Sequence, residues 1–535
     1  MKAANIWKEI LADPKGKRHL LKEIEKLAKE NEEPTKIHFG TSGWRGEIGS
    51  DFNLRNVKIL AQAIVETIKS EDKKVLNAIG VNSFNEFKER GVIVGHDNRI
   101  FGKEFSYGVI SIFKNYGVRC YYAAEASTPE FSAAVVELEA AASVNITPSH
   151  NPANYGGFKL NPADGGPAPE ELTKPIETVA NELIRKEQKV DYPFPNNIEK
   201  IDLTEIYIKF IKKREMIDLE KIRYFIETEK PTVVIDHMYG TSRGKLTRIL
   251  SLKPDSFICL RKDNDPLFEG LSPEPSENNL KLALSYLKEN SLGFAAIIDP
   301  DADRVRFADL KRQIPMNYFG AMAFYYLYNS KGLRGVVAKS VGTSNFVNAI
   351  ADSLDVEVVE TKVGFKNFRP YLLPNASKKA IVAFEESDGI SIQNHTLEKD
   401  AILGVLLAIE IMANFKMELS DYLEHIESLF GRYYSDRTGI ELSREYFGEH
   451  IKEKIYNFLN KFSINDTFEL GSLKKTISKI ITVDGFKLVF TDGSWLMIRP
   501  SGTEPKIRIY VEGKSEEEKG TLLRETKRLL TELCM

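Results

Sequence analysis

The stretch GVIVGHDNRIFGKEFSYGVISIF, residues 91–113, decides the fold. It opens with a short β-branched apolar run, crosses a polar turn, and then switches to helical spacing. The same layout returns in TVVIDHMYGTSRGKLTRIL (232–250) and GVVAKSVGTSNFVNAIADSL (335–354). A second strand follows each helix, in GVRCYYAA (117–124), SFICLRK (256–262) and DVEVVETKVG (355–364). A third follows after a further helical stretch, in ASVNITPSHNP (142–152), LGFAAIIDPDADR (292–304) and KAIVAFEESDG (379–389). Strands alternating with helices predict mixed or parallel sheets covered on both faces. All three third strands end in unusual polar loops. Units stacked side by side bring those ends to one cleft, a usual place for ligands in open α/β sheets.

From about residue 431 the pattern changes to helical stretches such as FGEHIKEKIYNFLNKF, short strands in GFKLVFTDGSWLMIRP and KIRIYVEG, and a closing helix. The predicted fold class is α/β: three similar α/β sandwich domains with mixed sheets, plus a C-terminal α+β domain, around one central cleft. The expected boundaries are an N-terminal helical arm over 1–35, then domains over 36–205 (serine loop), 206–315 (metal loop), 316–430 (sugar loop) and 431–535 (phosphate loop). The arm reads as amphipathic helix ending at Pro34, with KEQKVDYPFPNN as a polar linker.

The composition narrows the partners. The chain's 535 residues exceed one core at ~150 residues per domain. With 74 basic and 77 acidic side chains, nothing favours nucleic acid or an anionic membrane. Cys120, Cys259 and Cys534 have neither disulfide nor metal spacing, so a cytoplasmic location is expected. The charged first 34 residues carry no apolar signal core, and no window approaches ~20 uninterrupted apolar residues.

The loops carry the chemistry. In DPDADR (299–304) an extended chain would put Asp299, Asp301 and Asp303 on one face, where their repulsion calls for a hard cation such as Mg²⁺. The alternative is a solvated acidic turn; Arg304 and the apolar strand leading in favour the site. In RPSGTEPKIRIYVEG (499–513) the hydroxyls and N–H groups of a tight turn suit an anion, with Arg499 and Arg508 in reach, although a plain hairpin would read alike. FEESDG (384–389) offers carboxylates and a serine to sugar hydroxyls, or equally a helix N-terminus. Lys399 is a candidate proton carrier.

In TPSHNP (147–152) two prolines stiffen the loop around Ser149, and the glycines of NYGGFK let backbone approach a ligand. A serine-protease reading fails because the G-x-S-x-G elbow is missing. Lys159, and Arg45 in GTSGWRG, supply cations. A serine beside phosphate loops and a metal loop points to phosphoryl transfer with the serine carrying the group.

Five motifs in order give a family resemblance: GTSGWRG, TPSHNPANYGGFKLNPADGGPA, DPDADR, GFKNF with FEESDG, and RPSGTEPKIRIY. From about Phe39 to the C-terminal region the chain resembles the α-D-phosphohexomutases, most closely the phosphoglucomutases. The resemblance implies that glucose 1-phosphate and glucose 6-phosphate are interconverted through a phosphoserine at Ser149. It implies Mg²⁺ on Asp299, Asp301, Asp303 and the phosphoserine, and glucose 1,6-bisphosphate as intermediate and activator. Arg45, His150, Lys159 and Arg304 would line the reacting phosphate. Glu385 and Ser387, with the loop at Gly364, would grip the sugar. Arg499, Ser501, Gly502, Thr503 and Arg508 would clamp the distal phosphate, and Lys399 would be the general acid/base. Competing readings are a phosphomannomutase or phosphopentomutase, a non-catalytic relative, and a phosphatase using an aspartyl intermediate. The expected partner is a small sugar phosphate, with no nucleic acid and no membrane, and with monomer and homodimer both open.

Overall fold

The structure, a computed structural model, describes residues 2–31, 33, 35–40, 43–188, 190, 192–289, 291–442, 449–471, 473–500 and 506–534. Each of the three predicted repeats forms the same sheet motif. In the first unit Val92–His96 lies centrally, with Cys120–Glu125 parallel on one side and Ala142–Ile146 parallel on the other. In the second these places are taken by Thr232–Asp236, Ile258–Leu260 and Gly293–Ile298. In the third they are taken by Val336–Ser340, Val358–Thr361 and Ala380–Glu385. The central strands are buried along almost their whole length, which is why they read as continuous apolar runs.

A fourth, antiparallel strand completes each unit beside the third: Tyr155–Pro162, Val305–Ala308 and Gly389–Ile392. Each of the three polar loops that end a third strand is therefore the turn of a hairpin, held at both ends by one sheet. FEESDG is such a turn and no helix begins there.

The first unit has its own core, which also takes in the N-terminal arm through Ile6, Trp7, Ile10 and Ile24. The second and third units share one core. At its centre runs Ala401–Phe415, AILGVLLAIEIMANF, apolar on all sides because it is covered on all sides. No described helix is long and apolar enough to cross a membrane.

The arm differs from the expected single helix. It forms Lys2–Ala12 and Leu21–Glu30, joined by a turn and a short 3-10 segment at Arg18–Leu20. The break falls at Asp13-Pro14-Lys15-Gly16, where proline removes a backbone donor and disfavours helix in the residue before it. Pro34 lies outside the described residues.

The fourth unit is a six-stranded antiparallel sheet, in order Tyr434–Glu441, Lys506–Gly513, Trp495–Pro500, Phe486–Phe490, Leu473–Ile481, Thr467–Leu470, backed by Glu516–Cys534. It docks on the third unit. Glu512 accepts from the Ser344 hydroxyl, from the Asn345 N–H at 3.1 Å and from the Trp495 indole at 2.8 Å. Asp484 accepts from the Val363 N–H at 3.0 Å and from Arg499 Nε at 2.8 Å. Val341, Trp495, Met497 and Tyr510 fill the apolar middle of the dock.

Lys487 is buried in this dock. Its Nζ donates to the Val341 carbonyl at 2.9 Å and lies 4.0 Å from the centre of the Trp495 ring. Burial, reinforced by neighbouring Lys339, lowers it to about 7. A base whose folded pKa is depressed binds fewer protons folded than unfolded, so its linked stability rises as pH climbs from about 7 toward the ordinary lysine value of about 10.4. Lys487→Met should therefore stabilise the protein more at pH 6.5 than at pH 9, by about 2–3 kcal/mol. Urea titrations of both proteins at the two pH values check this.

Candidate functional site

The first loop owes its shape to the turn after the first strand. Asp97 and Arg99, both buried, form an ion pair at 3.2 Å beneath it. Arg99 donates to the carbonyls of Ser149 (2.8 Å), Pro152 (2.5 Å), Tyr155 (3.3 Å) and Asn151. Asp97 accepts from the Thr147 hydroxyl at 2.6 Å, and Thr147 Oγ1 accepts the Ser149 N–H at 3.0 Å. Held this way, Ser149 adopts φ +58°, a left-handed conformation that a serine keeps only when its surroundings impose it. Its hydroxyl leaves the first unit altogether and donates to Asp299 Oδ2 of the second at 2.8 Å.

The second loop differs from the extended arrangement expected for DPDADR. Residues 299–304 turn back on themselves: the Ala302 N–H bonds to the Asp299 carbonyl at 3.0 Å, and Ala302 is left-handed at φ +56°. The reason is local. Asp299 Oδ1 accepts the N–H groups of Asp303 and Arg304, each at 3.0 Å, closing the turn around the carboxylate. Turning, and not strand alternation, brings the three aspartates together, with one oxygen of each within 4.8 Å of the others.

The units meet around these carboxylates. Lys159 Nζ, from the first unit's return strand, lies 2.6 Å from Asp301 and 2.7 Å from Asp303. The Thr128 hydroxyl donates to Asp301 Oδ2 at 2.6 Å, and its N–H bonds to the Asp301 carbonyl at 2.8 Å. Lys399, from the third unit, reaches to 3.2 Å of Asp303 Oδ2. It precedes Asp400, whose carboxylate caps Ala401–Phe415 through the Leu403 N–H at 2.9 Å and also pairs with His395 at 2.7 Å.

The electrostatics divide the triad. Burial, then the charges of Asp301 and Asp303, push Asp299 well above the usual carboxylate range. Burial opposes ionisation of Asp303 too, but Lys159, Lys399 and Arg304 outweigh it and hold that carboxyl well below the range. Burial, with Arg304 and Arg45 nearby, lowers His150 well below its ordinary value, so the imidazole 3.3 Å from Ser149 Oγ is neutral at pH 7. Arg45 sits half-buried on Trp44–Glu47, opposite Gly157.

A hard divalent ion fits here. All the donors are oxygens, and among the described residues the buried Asp301 Oδ1 and Asp303 Oδ1 have no hydrogen-bond partner. Asp299, Asp301, Asp303 and the Ser149 oxygen are the groups that would hold it.

In the third loop Glu385, buried, accepts the Gly364 N–H at 2.7 Å and the Ser387 hydroxyl at 3.3 Å. Gly364 has φ +116°, a conformation open to glycine. Asp388, at φ +71°, is the third loop's left-handed residue. Arg499 and Arg508 of the fourth unit face each other across paired strands. Ser501, Gly502 and Thr503, predicted to join them, lie outside the described residues. Arg437, on the neighbouring strand, went unnoticed in the sequence; against its burial, Asp388 and Glu386 hold it charged.

The comparisons with known proteins bear on this arrangement. Models described as phosphoglucomutase/phosphomannomutase alpha/beta/alpha domains I, II and III match residues 36–187, 205–312 and 315–429, and the C-terminal domain model matches 461–529. The chain belongs to the α-D-phosphohexomutase family. Family members are isomerases that transfer phosphate within sugar phosphates, and this chain is such an enzyme. It is 29% identical over 449 residues to the phosphoglucomutase/phosphomannomutase of Thermococcus kodakarensis, covering 83% of this chain and 91% of the relative. It is 27% identical to the phosphoglucosamine/phosphogalactosamine mutase of Sulfurisphaera tokodaii, over 92% and 98% of the two chains. A Thermus thermophilus structure assigned as a phosphomannomutase superposes with a TM-score of 0.75 at 27% identity, over 93% and 100%.

Thr128 and Arg99 are further residues that sequence reading missed, and Thr128 touches the acidic triad directly. Only its position just inside the helix Thr128–Glu137, after the Ser127/Glu130 capping box, was readable. As the partner that orients Asp301, it gives a test: Thr128→Val should weaken Mg²⁺ binding by about 10- to 100-fold in calorimetric titration, with the fold retained.

Proposed function

We propose that this enzyme is a phosphoglucomutase that interconverts glucose 1-phosphate and glucose 6-phosphate through a phosphorylated Ser149 and a 1,6-bisphosphate. The observation that carries the reading is the hydrogen bond from Ser149 to Asp299, which joins a rigid, buried nucleophile on one unit to an acidic triad on the next. Asp299, Asp301 and Asp303 would hold Mg²⁺, whose chemistry there would be to offset the negative charge of the phosphoryl group.

In the forward half-reaction a sugar hydroxyl attacks phosphorus in line. The P–Oγ bond of phosphoserine 149 breaks and a P–O bond to the sugar forms, while the sugar hydroxyl gives up a proton and the leaving Ser149 Oγ takes one up; Lys399, once it has shed its own proton, is the carrier between them. Lys159 and Arg304 offset charge, and neutral His150 offers a hydrogen bond without adding charge. The first-unit network under the serine keeps Oγ aligned, and positioning of this kind dominates the rate of such a reaction. Glu385 and Ser387 grip sugar hydroxyls over Gly364, while Arg499, Arg508 and residues 501–503 hold the distal phosphate. The bisphosphate then turns end for end and Ser149 recovers the other phosphate.

Glucose is the reading that the resemblance of the FEESDG loop to phosphoglucomutases supports. Amino-sugar phosphates form a second reading, favoured by the likeness to the Sulfurisphaera tokodaii enzyme. Initial rates with glucose, mannose, glucosamine and ribose 1-phosphates should rank glucose first. Ser149→Ala should lose at least about a thousandfold in kcat, and mass spectrometry should find phosphate on Ser149 of the active wild type. Full turnover by the variant would refute the serine route.

A further inference from the structure

The second unit contains a short strained loop with no part in the chemistry above. Phe268, Glu269 and Gly270 have φ of +54°, +51° and +78° in succession. Two non-glycine residues in the left-handed region persist only where neighbours over-determine them. The strain carries Leu267 and Phe268 out of their own unit and into the core of the first. There the Phe268 ring lies 4.8 Å from the guanidinium carbon of Arg99. Arg99 is the residue whose N–H groups bind the carbonyls of Ser149, Asn151, Pro152 and Tyr155.

The N-terminal arm closes on the same loop from outside. Lys15 lies 3.4 Å from Glu269, and Arg18 lies 3.6 Å from Asp265. These exposed pairs contribute little alone. The arm also crowds Gly270: a Cβ added there would come within 2.9 Å of the Pro14 ring carbon Cγ and 3.3 Å of the Leu11 carbonyl. The arm is itself fixed to the first unit by Trp7 Nε1 donating to the Ile48 carbonyl at 2.9 Å and Asn31 donating to Gly49 at 3.1 Å. The family matches begin at residue 36, after it.

We propose that the arm and the 265–270 loop form a brace that presses Phe268 against Arg99, making Phe268 a positioning residue for Ser149. The proposal rests on the reading of Ser149 as the phosphoryl carrier. The guanidinium needs its planar face covered to keep Nη1 and Nη2 aimed at the four carbonyls while Nε holds Asp97, and a buried aromatic face attracts a desolvated cation. Without the ring, Arg99 can tilt, the carbonyls lose their donors, and Ser149 relaxes toward ordinary backbone angles.

The test compares Phe268→Leu, which keeps apolar bulk but loses the ring, with Phe268→Tyr, which keeps the ring. The leucine variant should lose about 10- to 100-fold in kcat, with the sugar-phosphate KM within about twofold, because a slight misplacement of the reacting oxygen costs rate before binding. Amide exchange over 148–155 should quicken about tenfold, and tyrosine should restore both readouts. Gly270→Ala, acting from the arm side, should show the same pattern and carries the test if the leucine variant does not fold. A folded Phe268→Leu or Gly270→Ala protein with wild-type exchange over 148–155 overturns the brace. A wild type without mutase turnover refutes the function instead, and the exchange measurement still decides the brace.

Discussion

Three carboxylates packed into one buried turn repel one another, and the architecture is organised around answering that repulsion. Inside a protein such forces are several-fold stronger than in water. From the second unit itself comes Arg304. Lys159 comes from the first unit and Lys399 from the third. The turn is thus electrostatically incomplete in any one unit, and its completion draws three separate sheets to one point. The hydroxyl of Ser149 arrives there for the same reason, as a donor to the carboxylate that burial and its neighbours leave most reluctant to ionise.

The repetition of the units explains how such a meeting is built. The same strand order ends in a hairpin turn each time, and each turn contains one non-glycine left-handed residue: Ser149, Ala302 or Asp388. In the first loop that residue is the nucleophile proposed above. In the second it is a small spacer that lets Asp299 close on its own backbone. In the third it pairs with Arg306 at 2.8 Å, tying that loop to the strand that follows the acidic turn. One backbone solution recurs in three loops of different composition.

Much of this was legible in the sequence because it depended on local pattern. The three strand–helix repeats, the parallel buried strands and the change of architecture after residue 430 follow from periodicity, and the polar tips from composition. The reading of Asp299, Asp301 and Asp303 as a cluster was sound while its geometry was wrong, since a side-chain-to-backbone bond within six residues overrode strand alternation. Arg99 and Thr128 escaped notice because their importance lies in partners about 50 and 170 residues away. An arginine in a polar turn and a threonine at a helix start have many ordinary explanations. Pro14 was the available signal for the break in an arm whose pattern reads as helix to Pro34, and what the arm touches depends on the second unit's fold.

The dock between the third and fourth units has a further consequence. One carboxylate, Asp484, grips Arg499 on one side and the segment leading to Gly364 on the other. The two jaws that would grasp opposite ends of a ligand are thereby set at a spacing ruled by a single side chain. The dock is built like a caliper, its opening between the two loops fixed by one carboxylate.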